Sequence, residues 1–159
     1  GCMRQHGLRR ANHLPLRSSP STIRRGLSML IHVKQRTRAP AMPLIHFSPS
    51  PLNNPPRSPV DAAKVVSGTP DQAFDVLYTS QSGEMSAGIY ECSAGKWQVA
   101  YSEDEFCTLT EGTVRLTDDK GKTEEFRAPD SFLIPAGFSG TWEAVTPVRK
   151  FFVIYEKTV

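Results

Sequence analysis

The chain has 159 residues and a formal net charge of +3, and this charge is distributed unevenly along the sequence. Residues 1–60 carry 10 of the 19 basic residues and none of the 16 acidic residues, so residues 61–159 carry 9 basic and 16 acidic residues, a net charge of −7. Because the basic charge lies outside the segment that can fold, it argues little for nucleic-acid binding. No apolar run reaches the roughly 18 residues that a membrane-spanning helix needs.

Residues 1–60 are predicted to form a disordered basic extension, because a segment rich in Arg, Pro and Ser buries too little apolar surface to offset its ordering entropy. Within it, Thr22 to Lys34 has apolar residues at helical spacing and no acidic residue, a pattern typical of an organellar presequence. Two other interpretations stay open. In one, translation starts at Met29 or Met42 and the preceding residues are never made. In the other, the segment is a functional basic arm.

The histidines and cysteines indicate neither a metal site nor a disulfide framework. All four histidines lie in the extension, at spacings that suit no compact set of metal ligands. The three cysteines, Cys2, Cys92 and Cys107, form an odd set without paired spacing. Cysteine usage of this kind favours a reducing, cytoplasmic setting.

Residues 61–159 are predicted to fold as one all-β domain, since 99 residues suffice for one core but not for two. From Ser86 onward, short runs of β-branched and aromatic residues alternate with turn signals at intervals of about ten residues. The predicted strands are Ala87 to Cys92, Lys96 to Tyr101, Phe106 to Glu111, Thr113 to Thr117, Lys122 to Arg127, Ser131 to Ile134, Gly140 to Val145 and Arg149 to Glu156.

The pattern within these strands predicts how they are arranged. Trp97, Val99 and Tyr101 alternate with polar or small residues, so one face of that strand should be buried. The last strand is apolar on both faces and should lie inside a sheet rather than at its edge. Gly121, in the sequence Asp-Lys-Gly, suits a tight hairpin turn. About eight short antiparallel strands are typical of a double-sheet jelly roll.

Two stretches of this sequence resemble a known family. They are YSEDEFCTLTEG, residues 101–112, and PDSFLIPAGFSGTW, residues 129–142. Together they resemble small single-domain cupins related to (S)-ureidoglycine aminohydrolase and to the ethanolamine-utilisation cupin, over roughly residues 67–156. The resemblance implies an RmlC-like jelly-roll barrel, also called a double-stranded β-helix.

The resemblance also implies where a metal would bind, and the sequence departs from the pattern there. The glutamate of the first cupin motif falls on Glu105. The three histidine positions fall on Val99, Tyr101 and Gly140, none of which supplies an imidazole nitrogen. One carboxylate without imidazoles makes a poor site for a transition metal, so the sequence predicts no metal cofactor.

The candidate interior residues are those that the two motifs and the last strand would direct into the barrel. Glu105 and Lys150 are the candidate catalytic residues, because a carboxylate beside a cation can transfer a proton without metal. The candidate ligand-binding residues are Tyr101, Glu105, Cys107, Trp142 and Lys150.

We expect the domain to bind a small polar metabolite in the barrel without a metal. Two alternatives remain open at this stage. One is an enzyme of the ureidoglycine aminohydrolase kind that acts through Glu105 and Lys150. The other is a structural domain that forms a homodimer, as small cupins commonly do. The expected partners are therefore a small molecule and a second copy of the chain, with no membrane and no nucleic acid.

Overall fold

The computed structural model describes residues 42–158. Residues 45–158 belong to one compact unit. Residues 42–44 have no regular secondary structure. The helix predicted over residues 22–34 lies outside the described residues. No helix long and apolar enough to cross a membrane occurs in residues 42–158.

The predicted jelly roll is confirmed, because eleven β-strands within residues 42–158 form two antiparallel sheets. The strands are β1 (Ser58–Pro59), β2 (Val65–Ser67), β3 (Asp71–Thr79), β4 (Met85–Cys92), β5 (Gly95–Ala100), β6 (Asp104–Glu111), β7 (Thr113–Asp118), β8 (Thr123–Arg127), β9 (Ser131–Ile134), β10 (Ser139–Ala144) and β11 (Val148–Tyr155). One sheet has the order β1-β3-β4-β11-β6-β9, and the other has the order β2-β5-β10-β7-β8.

The two sheets enclose one core, built from side chains that alternate along each strand. In β5, Trp97 and Val99 are buried, and Gln98 between them is exposed. In β10, Trp142 lies directly opposite Trp97, and their ring centroids are 6.3 Å apart. The predicted inward face of β5 is therefore confirmed, as expected for strands with one face on a core.

The position of β11 explains its composition. It pairs with β4 on one side and β6 on the other, so neither of its edges is free. Phe152 points into the core and is completely buried, and Phe151 on the opposite face is half-buried. The interior position predicted from the apolar character of this strand is confirmed.

Residues just before the predicted domain boundary at residue 61 make contacts with the sheet. β1 pairs with β3, and the Arg57 guanidinium binds Asp71 through two hydrogen bonds of 2.8 and 3.0 Å. This ion pair holds the pKa of Asp71 at about 2, below its usual range, with a further hydrogen bond from Ser93 acting in the same direction. The composition of this Pro-rich stretch placed it in the predicted disordered extension and indicated none of these contacts.

Residues 47–57, which we call the strap, lie against the outer face of the six-stranded sheet. The Phe47 ring meets the Phe151 ring edge-on at 5.5 Å. The backbone N–H of Leu52 donates to Glu91 Oε1 (2.9 Å), and Arg149 Nε donates to the same oxygen (2.9 Å). Burial alone would raise the pKa of Glu91, but these hydrogen bonds outweigh it and the pKa is lowered. The strap therefore belongs to the folded domain.

The outer face of the five-stranded sheet has a different character. Cross-strand neighbours on β5, β10, β7 and β8 alternate in charge, in the order Lys96, Glu143, Arg115 and Glu125. Lys96 Nζ lies 3.8 Å from Glu143 Oε2, and Arg115 Nη1 lies 4.0 Å from Glu143 Oε1. Arg115 Nε lies 2.6 Å from Glu125 Oε2. We call this row the charged ladder. It makes this face hydrophilic.

Candidate functional site

The core contains one buried ion pair among the described residues. Lys150 Nζ lies 2.6 Å from Glu105 Oε1, and the two residues are only 3% and 2% exposed. Each is a charged residue on a strand whose flanking inward positions are apolar. Charged side chains are rarely buried to this degree unless they are paired, because removing them from water is costly.

Strand register brings the two side chains of the pair together. Lys150 lies on β11, opposite Tyr90 of β4 and Leu109 of β6. Glu105 lies further along β6, and the long lysine side chain reaches it past Cys107, whose Sγ is 3.3 Å from Nζ. The register of β11 against β6 shifts between Arg149 and Lys150, so that Thr110 is an extra residue in β6. Because of this bulge, Arg149 pairs with Glu111 on the outer face, whereas Lys150 pairs with Leu109 on the inner face.

Aromatic rings enclose the ammonium group. The centroid of the Trp142 ring, on the opposite sheet, lies 4.6 Å from Lys150 Nζ, and the Tyr90 ring lies 5.1 Å away. Both distances are within the range of cation–π attraction. The Tyr90 hydroxyl donates to Gln72 Oε1 at 3.1 Å, which orients its ring. The lysine therefore bridges the two sheets.

The Trp142 indole N–H is buried and has no hydrogen-bond acceptor among the described residues. Trp142 itself is 2% exposed, so bulk water does not serve this donor. Buried donors are almost always paired, and an unpaired one costs free energy that a bound acceptor would restore. Thus an unused donor belongs to the ring that contacts the Lys150 ammonium.

Cys107 contributes packing and a weak acceptor rather than a nucleophile. It is completely buried. Burial raises the pKa of its thiol to about 12, although the neighbouring Lys150 acts in the opposite direction. A thiol in this state carries almost no thiolate at neutral pH, and the thiolate is the reactive form.

The structure brings together four of the five predicted interior residues: Glu105, Cys107, Trp142 and Lys150. The fifth, Tyr101, is buried just after β5, with its ring 6.2 Å from the Phe138 ring. The catalytic and binding roles assigned to these residues stay predictions.

Sequence reasoning missed two features of this region. Tyr90 faces Lys150 across β4 and β11, and only the inward alternation of both strands, taken with their pairing, points to it. Glu103 was not among the predicted interior residues, yet it is only 6% exposed and accepts hydrogen bonds from the backbone N–H and hydroxyl of Ser102. Residues 103–105 are all acidic, and sequence alone does not indicate which of the three point into the core.

Comparison with known proteins identifies the fold family. Residues 79–152 match the family model of the EutQ-like cupin domain. Over these residues the chain is similar to EutQ-like cupins, and the folded domain has the cupin fold. No curated protein matches the chain.

Solved structures of other cupins share this fold. A protein of unknown function of the DUF861 family from Pseudomonas syringae is 21% identical, with a TM-score of 0.61, over 68% of this chain and 46% of that one. EutQ from Clostridium difficile is 20% identical, with a TM-score of 0.50, over 54% and 63%. A putative ethanolamine utilisation protein from Salmonella typhimurium is 21% identical, with a TM-score of 0.50, over 65% and 97%. The chain thus spans less than two thirds of the first two proteins.

The cupin fold implies a metal centre, and the residues present do not fit one. Val99 and Gly140 are paired directly on neighbouring strands, in agreement with the motif register, yet neither has a side chain that binds metal. A Cβ atom at Gly140 would come within 1.9 Å of the Thr117 carbonyl oxygen, which leaves no room for a histidine. Glu105 is bound to Lys150. Within residues 42–158, no group of three or more His, Cys, Asp or Glu is placed to hold a metal.

Proposed function

We propose that this EutQ-like cupin binds a small polar metabolite in its barrel without a metal. The observation that carries the proposal is the buried Lys150–Glu105 pair beside an indole N–H that has no acceptor within residues 42–158. In a site of this kind the ammonium replaces the metal as the cation that meets the ligand. Specificity in small-molecule sites comes from a few polar groups in an apolar surround, and this site has that composition.

The donors define the chemistry of the ligand. An oxygen atom of a carbonyl, amide or carboxylate group accepts from Trp142 Nε1 and from the Lys150 ammonium. Glu105 holds the Lys150 side chain in place through its first oxygen, and its second oxygen accepts an N–H or O–H of the ligand. Cys107 is buried and forms no disulfide among the described residues, which supports the predicted reducing, cytoplasmic setting.

The ligand is sought among small acids, amides and ketones of two to six carbon atoms, with EDTA present throughout. The full chain is examined by native mass spectrometry and by thermal melting with each compound. A ligand at tenfold excess over its Kd stabilises the protein by about 1.4 kcal/mol, which raises Tm by several degrees. Absence of any bound mass and of any melting shift across this panel would overturn the proposal.

Two tryptophan variants test the position of the ligand. Trp142→Phe removes the unpaired N–H and should abolish the melting shift. Trp97→Phe is the matched control, because Trp97 is equally buried and lies opposite Trp142, and it should keep the shift. Equal responses of the two variants would contradict a site at Trp142. The aminohydrolase-like activity through Glu105 and Lys150 stays an alternative, and turnover of a bound compound by the wild-type chain that stops in Glu105→Gln would favour it.

A further inference from the structure

Lys150 has the surroundings of a lysine that reacts through its nitrogen. Its Nζ lies 2.6 Å from Glu105 Oε1, and both side chains are buried. A lysine nitrogen is a nucleophile only after it has lost a proton, and removal from water together with an adjacent base activates it in this way. The core therefore contains a nucleophile and a base at hydrogen-bond distance from each other.

The groups next to this nitrogen do not compete with it as nucleophiles. Cys107 Sγ lies 3.3 Å from Lys150 Nζ, but burial raises the pKa of its thiol to about 12, so almost no thiolate is present. Tyr90 presents its ring to Nζ, and its hydroxyl donates to Gln72 instead. A reactive carbon bound here is therefore attacked by the lysine nitrogen.

The indole N–H of Trp142 supplies the activation that an electrophile needs. It is buried and has no acceptor within residues 42–158, and the ring that carries it lies 4.6 Å from Lys150 Nζ. Negative charge develops on a carbonyl oxygen while its carbon is attacked, and a fixed donor to that oxygen stabilises the charge. The unused donor and the nucleophile thus belong to the same contact.

We infer that Lys150 condenses with a small aldehyde or ketone to form an imine in the barrel. This ligand class rests on the proposed function, since the ligand occupies the same site. An amide or a carboxylate offers Trp142 the same oxygen, but its carbon does not condense with an amine in water. Only an aldehyde or a ketone uses the nitrogen of Lys150, the carboxylate of Glu105 and the indole donor together.

The condensation balances within the Lys150–Glu105 pair. The ammonium passes one proton to Glu105, and the free amine forms a bond to the carbonyl carbon while the carbonyl π electrons move to oxygen. A second proton passes from nitrogen to that oxygen, and Glu105 returns the first, so the oxygen leaves as water. The product is a protonated imine beside a carboxylate, with the net charge of the starting pair unchanged.

The surroundings of Lys150 also favour the product. A protonated imine carries the same positive charge as the ammonium, so the attraction to the Tyr90 and Trp142 rings is kept. Water hydrolyses imines, and a closed site excludes it. The side chain of Lys122, by comparison, is 71% exposed, so an imine on it is open to hydrolysis.

Native mass spectrometry of the full chain tests this inference with butanone and propanal, and with propanamide as a control of similar shape that does not condense. Butanone or propanal should add its own mass less that of one water molecule, whereas propanamide should add its full mass. Adducts of full mass only would overturn the inference and leave the proposed function standing. Absence of any butanone or propanal adduct also overturns the inference, and the wider compound panel then decides the proposed function by itself.

Two variants locate the imine. Lys122→Met should keep the condensed adduct, and the double variant Lys150→Met, Glu105→Leu should lose it. Loss in both, or in neither, contradicts an imine on Lys150. If the double variant does not fold, cyanoborohydride reduction of the wild-type adduct fixes the imine as a stable amine for peptide mapping. Lys150 should then carry at least about tenfold more label than Lys122, and equal labelling of the two overturns the inference.

Discussion

Ion pairs occur in this domain in two opposite environments. Lys150 and Glu105 are buried in the core and are enclosed by the rings of Tyr90 and Trp142. In the charged ladder, Arg115 and Glu125 are also 2.6 Å apart, but their side chains are 42% and 27% exposed. The same distance has different energetic meaning in the two places, because water screens the outer pair and has been removed from the inner one.

Breaking the inner pair gives the largest expected effect. Lys150→Met leaves the Glu105 carboxylate buried without its cation, and we expect a loss of about 3–5 kcal/mol in the free energy of unfolding. The double variant Lys150→Met, Glu105→Leu removes both charges and should recover most of that loss. Urea denaturation measures both. A single variant that costs less than about 1 kcal/mol would show that water reaches the pair.

The double variant also separates stability from function. It should fold, yet it should lose the ligand-induced melting shift, because the ammonium that meets the ligand is gone. A folded double variant that still binds the ligand would exclude Lys150 from the binding site while leaving the energetic comparison intact.

An intermediate effect is expected at Arg57 and Asp71, where the pair is partly exposed and holds the strap next to β1. Because the pKa of Asp71 is lowered to about 2, the folded state favours its carboxylate. The stabilisation is therefore present above pH 4 and is lost as the pH falls through 2. After discounting for solvent, we expect Asp71→Asn to cost about 1 kcal/mol at neutral pH. Urea denaturation at neutral pH and near pH 2 measures this. If the difference in the free energy of unfolding between wild type and variant does not shrink near pH 2, the assignment is contradicted.

The smallest effect is expected in the charged ladder. Arg115→Ala removes one residue from an exposed row, and in moderate salt it should change the free energy of unfolding far less than Lys150→Met does. Thermal melting at low and high salt checks this, since any contribution should fall with ionic strength. A loss as large as that of Lys150→Met would mean that exposure does not distinguish the two sets of pairs.

Sequence reasoning reached most of the strand core because alternation and turn residues are local signals. Ser131–Ile134 was predicted with its observed bounds, and Gly121 has the positive φ of 84° that its turn requires. β3 was missed, because Asp71 and Asp75 interrupt its apolar pattern. It is a strand through its pairing with β1 and β4, which no local pattern reports.

The candidate site divides in the same way. Motif register led to Glu105, and the family resemblance led to Lys150, so both partners of the inner pair were predicted as interior candidates. Tyr90 was not predicted, because it joins the site through cross-strand pairing. The unpaired donor of Trp142 depends on the arrangement of the whole core, and no sequence pattern reports an absent acceptor.

The narrow space above Gly140 has a consequence for protein engineering. Val99 and Tyr101 can each be replaced by histidine. The third histidine has to replace Gly140, where a Cβ atom would lie 1.9 Å from the Thr117 carbonyl oxygen. Its installation requires β10 and β7 to move apart, which disturbs the ladder of hydrogen bonds between them. Conversion of this domain into a three-histidine metalloprotein is therefore a backbone redesign rather than a matter of three substitutions.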